Sequence, residues 1–317
     1  MNQKSKFEAS AYGGENWSPR TADHREEIGS LWGSCGLNAE WTRLKRVLLH
    51  PPGPELSTPT EADTAQMLEI PDWSLAHKQH QTLCQAYQDA GVKVSFVDPE
   101  GTPSPNLIFC ADLFFMTPGG AVLARPASTV RAGEERWVAH RLAALGIPIL
   151  RSFQTTATLE GADALWVDPH TVLIGRGIRT NQLAITQLSG ILAEAGTEVI
   201  PIDLPIGTMH LMGVLRILDA DLAVVWPYRL AWRAIDVLRE RDYRILFVPD
   251  ESEANRTGAF NFVTLGPRQV LMAEDNPKTQ QFLESQSVIC HTVDVSELHK
   301  AAGGIGCLTG ILERELV

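Results

Sequence analysis

Residues 158–203 read TLEGADALWVDPHTVLIGRGIRTNQLAITQLSGILAEAGTEVIPID. Within them, His170–Arg176 (HTVLIGR) is a short β-branched apolar run closed by polar residues, the signature of a buried strand. Gln182–Ala195 has helical character, and Gly196 stands where such a helix ends on a left-handed residue. TEVIPID (197–203) is a further strand, and TLEGADAL (158–165) precedes the set with its polar residues gathered together. The stretch is thus one strand–strand–helix–strand unit.

The same pattern recurs along the chain. Runs equivalent to HTVLIGR are KRVLLHP from residue 45, GAVLARP from 120, DLAVVWP from 221 and RQVLMAE from 268. Helical stretches follow at Ser74–Ala90, Val130–Leu145, Ala231–Arg239 and Pro277–Glu284. In the second of these, Val138, Leu142 and Leu145 recur at the three- and four-residue spacing of one buried face. Second strands come next: VKVSFVD (92–98), IPILRSF (147–153), YRILFVP (243–249) and SVICHTVD (287–294). The segments equivalent to TLEGADAL are NLIFCAD (106–112), MHLMGVLRILD (209–219), TGAFNFV (257–263) and GGIGCLTGIL (303–312).

Five copies at this period indicate an α/β array in which each unit needs its neighbours. GGIGCLTGIL has no partner at its own end and KRVLLHP has none at the start. Pairing them would close a ring and remove two exposed sheet edges. The expected fold is therefore an α/β fivefold propeller of strand–strand–helix–strand units. A doubly wound parallel sheet also alternates strands and helices, but it does not need two strands per helix. It also carries a Gly-rich phosphate loop, and no convincing G-x-G-x-x-G or Walker sequence occurs here. Residues 1–40 fall outside the repeat and read as an extension or substrate-covering flap containing Gly13 and Gly14; residues 41–317 form one catalytic domain.

Composition narrows the function classes. A 317-residue chain with 44% hydrophobic and 21% charged residues can bury a sizeable core as an ordinary soluble protein. Its N-terminus lacks the apolar stretch of a signal peptide, and no run approaches the roughly 18 residues that span a bilayer. The expected location is cytoplasmic. A formal charge of −11 argues against nucleic-acid and anionic-membrane partners and suits a cationic small molecule. Self-association is compatible with the sequence. Cys35, Cys84, Cys110, Cys290 and Cys307 are odd in number and far apart, with no C-x-x-C pair, so neither a disulfide framework nor a zinc site is expected. No cofactor is expected.

In a ring, equivalent segments turn their polar residues toward one axis. Four of the five offer a reactive type: Asp112, Glu160, His210 and Cys307, with Asn261 near the remaining slot. Cys307 follows GGIG, whose small residues allow close approach of a ligand to the backbone. A thiol becomes a nucleophile when its pKa is lowered, and an imidazole can protonate a leaving group and then activate water. Two carboxylates can clamp a planar cation. Asp163 reads as support for the turn. Arg131 and Arg179 have the bidentate geometry to hold a substrate carboxylate. The ordinary alternatives are a buried inert cysteine, a satisfied histidine, and carboxylates paired with arginines.

From about Thr42 to Glu315 these segments resemble the guanidino-group-modifying superfamily of arginine deiminases, amidinotransferases and dimethylarginine dimethylaminohydrolases. RLKRVLLHPPGPEL is similar to its opening strand, PNLIFCAD to its first acid motif, LEGAD to its second and IGRGIRTN to its basic motif. MHLMG is similar to its histidine motif and GGIGCLTGIL to its nucleophile motif. The resemblance implies a fivefold α/β propeller with Cys307, His210 and Glu160 as catalytic residues and Asp112, Arg131, Arg179 and Asn106 binding substrate. It implies attack of Cys307 on a guanidinium carbon and a covalent thiouronium. That intermediate passes to water in hydrolases and to another amine in amidinotransferases.

Two positions depart from the pattern. Met212 replaces the Asp that deiminases and amidinotransferases carry two residues after the histidine, and Ala111 replaces an acid frequent in dimethylarginine hydrolases. The lost carboxylate favours hydrolysis of an N-substituted or otherwise unusual guanidine. Amidino transfer is the alternative, and a non-catalytic guanidine binder a third reading; the complete Cys–His–Glu set argues against the last.

Overall fold

The computed structural model describes residues 17–317. Fifteen strands follow in chain order: β1 Leu44–Leu49, β2 Lys93–Phe96, β3 Phe114–Thr117, β4 Gly120–Leu123, β5 Ile149–Ser152, β6 Ala164–Asp168, β7 Thr171–Arg176, β8 Glu198–Asp203, β9 Leu215–Asp219, β10 Leu222–Val225, β11 Arg244–Phe247, β12 Val263–Gly266, β13 Gln269–Ala273, β14 Ile289–Val293 and β15 Gly310–Arg314. They form five three-stranded sheets. In each, the middle strand pairs antiparallel with one neighbour and parallel with the other, as β7 does with β6 and β8. A helix joins each parallel pair: Trp73–Asp89, Glu135–Ala144, Gln182–Ala193, Trp232–Arg239 or Pro277–Ser285. That connection is what a parallel crossover requires.

The first sheet is assembled from both chain ends. β15 pairs antiparallel with β1, Val47 opposite Ile311 and Leu48 opposite Gly310, while β1 pairs parallel with β2. The architecture is a mixed α/β fold of repeated small sheets. Middle strands are buried along most of their length (β4 and β10 throughout), so they read as continuous apolar runs rather than alternating ones. Three apolar clusters, centred on residues such as Trp166, Leu215 and Tyr87, fill the space beneath them.

The expected helix stops hold at Gly91, Gly146 and Gly196, with φ of +76°, +70° and +73°. The stretch Val130–Leu145 is two elements, a single 3₁₀ turn at Thr129–Arg131 and the helix Glu135–Ala144, because Gly133 takes a φ of +92° between them. That break lets Arg131 turn inward while Val138 and Leu142 stay on the buried helix face.

The polar segments differ from the strand-like reading in a useful way. Asp112 ends a 3₁₀ turn, Glu160 and His210 are the N-cap residues of others, and Cys307 lies in the short helix Ile305–Leu308. Each turn stands just before the first strand of its sheet. The turn bends the chain so that a reactive side chain points off the sheet end, while the following strand anchors it.

Gly13 and Gly14 lie outside the described residues. Residues 33–40, grouped with the extension by sequence, pack on the body: Gly33 N donates to Gly146 O at 2.8 Å, and Gly36 N donates to Leu312 O at 2.9 Å. Cys35 and Leu37 are buried. Among the described residues no helix is long and apolar enough to cross a membrane.

Candidate active site

Four of the turns bring Asp112, Glu160, His210 and Cys307 together. Asp112, His210 and Cys307 line one small polar pocket of about 30 Å³, with Asn106, Arg131 and Arg179 on its wall. Glu160 is fully buried behind it. Its Oε2 lies 2.6 Å from His210 Nε2, and its Oε1 accepts from Ala127 N at 3.2 Å. Asp163 holds the turn beneath, accepting from Leu211 N at 3.0 Å and from Thr180 Oγ1 at 2.6 Å. The neighbouring residue after His210 is thus tied to the turn after Glu160, which fixes the imidazole against the carboxylate.

The electrostatics follow from burial and charge. Burial opposes ionisation of Glu160, but His210, Arg131 and Arg179 overcome it and hold the carboxyl near 2. Burial likewise opposes protonation of His210, yet Asp112, Glu160 and Asp163 raise it to about 9. Both directions describe one interaction: a carboxylate–imidazolium pair. Burial first, and then Asp112, pushes the Cys307 thiol up, while Asn261 opposes the shift. Asn261 brackets the nucleophile, its Nδ2 donating to Sγ at 3.0 Å and its Oδ1 accepting from Cys307 N at 3.0 Å.

The two arginines read as substrate-carboxylate clamps are engaged internally. Arg131 donates from Nη1 to Asp112 Oδ2 at 2.5 Å and from Nε to Glu134 Oε2 at 2.9 Å; Arg179 Nη1 lies 3.3 Å from Glu160 Oε1. Asn106 uses its side-chain amide on Ala65 O at 2.8 Å, and its carbonyl accepts from Arg131 Nη2 at 3.4 Å. Asp112, Glu160 and His210 bring three donor atoms within 4.8 Å of one another, a spacing a metal ion also accepts. In this chain the Arg131 guanidinium stands against the two carboxylates.

One oxygen is left over. Asp112 Oδ1 is buried, has no hydrogen-bond partner and lies 4.0 Å from His210 Nε2. An unpaired buried carboxylate oxygen beside a nucleophile is a place for a cation with N–H groups.

Sequence reasoning missed Glu134 and Thr180, and saw Asn261 only as filling a slot. Glu134 could have been found three residues after Arg131 at a helix start, and Thr180 directly after Arg179. A second compartment was legible only at Met212, where the absent carboxylate points to room for a substituted nitrogen. A chamber of about 270 Å³ reaches Cys307 and His210 from the other side, lined by Met209, Met212, Val214, Trp226 and Phe260.

The sequence profile of the arginine deiminase family matches residues 100–235 and 228–314, more than half of the chain and all four reactive turns. The chain belongs to the arginine deiminase family. It is 29% identical over 266 residues to N(G),N(G)-dimethylarginine dimethylaminohydrolase of Streptomyces coelicolor, covering 84% of this chain and 96% of that one. The N-terminal domain of ArgZ, a cyanobacterial arginine dihydrolase, superposes with a TM-score of 0.74 at 20% identity over 86% of this chain and 98% of that one. SxtG, an amidinotransferase of Microseira wollei, superposes with a TM-score of 0.73 at 17% identity over 89% and 97%. These two structural likenesses concern the fold, which this family member shares with hydrolases and transferases alike.

Proposed function

We propose that the chain is a hydrolase that cleaves a C–N bond of a guanidino compound through a covalent intermediate on Cys307. The observation that carries this reading is Asp112 Oδ1, a buried acceptor without a donor on the wall of the pocket that holds Cys307 and His210. A guanidinium supplies the missing N–H. Its positive charge also offsets the repulsion that Asp112 exerts on a Cys307 thiolate, so binding and activation coincide.

In this scheme the thiolate attacks the guanidinium carbon, forming a C–S bond. The imidazolium of His210, oriented by Glu160, gives its proton to the departing nitrogen as the C–N bond breaks. The neutral imidazole then takes a proton from water, the oxygen adds to the thiouronium carbon, and Sγ leaves with its electron pair. Arg131, itself held by Glu134, holds Asp112; Arg179 holds Glu160. Met212 and the apolar chamber support an N-substituted guanidine as substrate, as the relative named for dimethylarginine also does. The five sheets suit closure into a fivefold α/β propeller, with residues 41–317 as the catalytic domain and residues 1–40 as an extension to it. A cytoplasmic, self-associating enzyme fits the same reading.

Incubation with arginine, methylarginines and smaller guanidines, first without an acceptor and then with glycine, tests this. Ammonia or an alkylamine released without acceptor is the expected result. The chamber beside Cys307 is also large enough for an acceptor amine, which favours amidino transfer as the second reading; turnover only with glycine would establish it and overturn hydrolysis.

A further inference from the structure

On the side of Cys307 away from the polar pocket lies a charge that this mechanism does not use. Arg216, on β9, donates from Nε to Phe260 O at 2.9 Å, and its guanidinium lies over the Phe262 ring at 5.6 Å from the centroid. Its Nη2 is buried without a hydrogen-bond partner. That nitrogen abuts the α-carbon of Gly306: a methyl group there would overlap it, and would also stand 2.9 Å from Asn261 Oδ1 and 3.1 Å from Met212 Cε. Gly306 is therefore glycine because a guanidinium passes directly beneath the residue before the nucleophile.

Arg216 makes no ion pair among the described residues, though the carboxyl of Glu40 supports its charge across a cavity. It lines a central cavity of about 80 Å³ with Arg314 and Glu40. Arg314 donates from Nη1 to Thr42 O at 2.7 Å, and its Nε has no partner. Glu40 accepts from Trp166 N at 3.2 Å through Oε1, and burial disfavours its charged form. Two guanidiniums thus face at most one carboxylate, and among the described residues neither arginine makes an ion pair with Glu40. Burial lowers Arg216 to about 10, which still leaves its guanidinium charged near neutral pH. With Glu40 ionised, a thiolate at Cys307 balances the two guanidiniums and a neutral thiol leaves one cation in excess; with Glu40 protonated the excess is larger by one in each case.

We propose that Arg216 is a positioning residue that supplies the counter-charge for the Cys307 thiolate from beneath the active site. The assignment rests on Cys307 being the nucleophile of the reaction proposed above. The other groups facing Cys307 are Asp112, His210, Arg131 and Arg179 across the polar pocket, Asn261 beside Sγ, His299 in the chamber, and Tyr87 behind the cavity. Asp112 disfavours the thiolate and Arg216 favours it. The nucleophile stands between them. In the free protein Asp112 adds to burial in holding the thiol back; once a guanidinium has neutralised Asp112, burial alone still opposes the field of Arg216.

Alkylation of Cys307 by iodoacetamide, followed against pH on the full chain by mass spectrometry of its peptide, tests the assignment without any substrate. In Arg216→Met the midpoint is expected to rise by about one to two pH units, with alkylation near neutral pH slowed roughly tenfold or more. Arg216→Lys should recover most of that shift, and kcat on an accepted guanidine should fall while KM stays within about twofold. A folded Arg216→Met, or Arg216→Gln if the methionine variant does not fold, that keeps the wild-type midpoint overturns the proposal. So does a lysine variant no better than the neutral ones. Inactivity on every guanidine would refute the hydrolase reading and leave the thiol titration to stand or fall by itself.

Discussion

The two compartments that meet at Cys307 are built on opposite principles. The polar pocket holds about 30 Å³ and almost every donor and acceptor in it is spoken for: Arg131 by Asp112 and Glu134, Arg179 by Glu160, Asn106 by Ala65. The chamber holds about 270 Å³, and methionine, valine and aromatic side chains share its wall with Thr208, Arg229, Asn255, Asn261 and His299. A network of buried charges that is complete but for one acceptor is rigid, and it selects for one small planar cation. A roomier chamber with an apolar side at Met209, Met212, Val214, Trp226 and Phe260 selects weakly there and tolerates variation. The comparison assigns recognition of the reacting group to the first region and accommodation of its substituent to the second.

Removing the atom on which both regions converge has the largest expected effect. Cys307→Ser should lose at least about 10³-fold in kcat on whatever guanidine is turned over, and no thiouronium adduct should be trapped in acid-quenched samples. A serine variant retaining full activity would dissolve the comparison, since neither compartment would then adjoin the chemistry. Asp112→Asn comes next. Its single amide oxygen cannot serve both Arg131 and a substrate N–H, and it carries no charge, although Glu134 still pairs with Arg131; the stability cost is about 1–3 kcal/mol, that of a buried polar group left unsatisfied. About 10²- to 10³-fold in kcat/KM and a lower melting temperature should be lost together. A variant that melts earlier but keeps kcat/KM would confine Asp112 to structure.

The two compartments were not equally legible in the sequence. The repeat put Asp112, Glu160, His210 and Cys307 at equivalent stations because each unit must reuse one turn before its first strand, and the turn leaves a period in the chain. The pairing of β15 with β1 followed from the same period, since an unpaired first and last strand are edges that bury each other. Arg131 and Arg179 were visible as residues, and arginine-paired carboxylates stood as the ordinary alternative; which acid each takes was not visible, because it depends on the Gly133 break that turns Arg131 inward and on the turn before the first strand of the same sheet. The chamber left no period at all. Its residues come from the His210 turn, β10's end and the segment before β12, and apolar residues there look like any core residues. Charge networks carry identifiable residue types, whereas an apolar surface is defined by what fails to cover it.

The polar compartment also predicts how the protein responds to pH. His210 is raised to about 9 in the folded state against 6.5 in the ordinary range. A raised basic group stabilises the fold fully below its unfolded value and loses that contribution as pH climbs through its folded one. Stability should therefore fall between about pH 6.5 and 9, by an amount on the order of 3 kcal/mol, and His210→Gln should lack this slope. Turnover should decline as pH passes about 9, because the neutral imidazole cannot protonate the leaving nitrogen, while the ascending limb belongs to Cys307. Melting temperature and kcat/KM recorded against pH check both. An activity that keeps rising beyond pH 9 would separate His210 from proton donation.

The smallest effect tests the chamber. Met212→Asp places a carboxylate where the thioether now touches the space beside Gly306. Toward substrate, it would add an acceptor for an unsubstituted guanidinium nitrogen and leave a methylated nitrogen facing a desolvated charge. The ratio of kcat/KM for dimethylarginine over arginine should fall by about tenfold, the usual worth of one buried polar mismatch. The same carboxylate would stand near Arg216 and compete with the Cys307 thiolate for its charge, so the thiol midpoint should rise slightly as the selectivity changes. If the selectivity ratio is unmoved while the midpoint rises, Met212 faces the cation beneath the nucleophile rather than the substrate, and the boundary between the two compartments runs on the near side of residue 212.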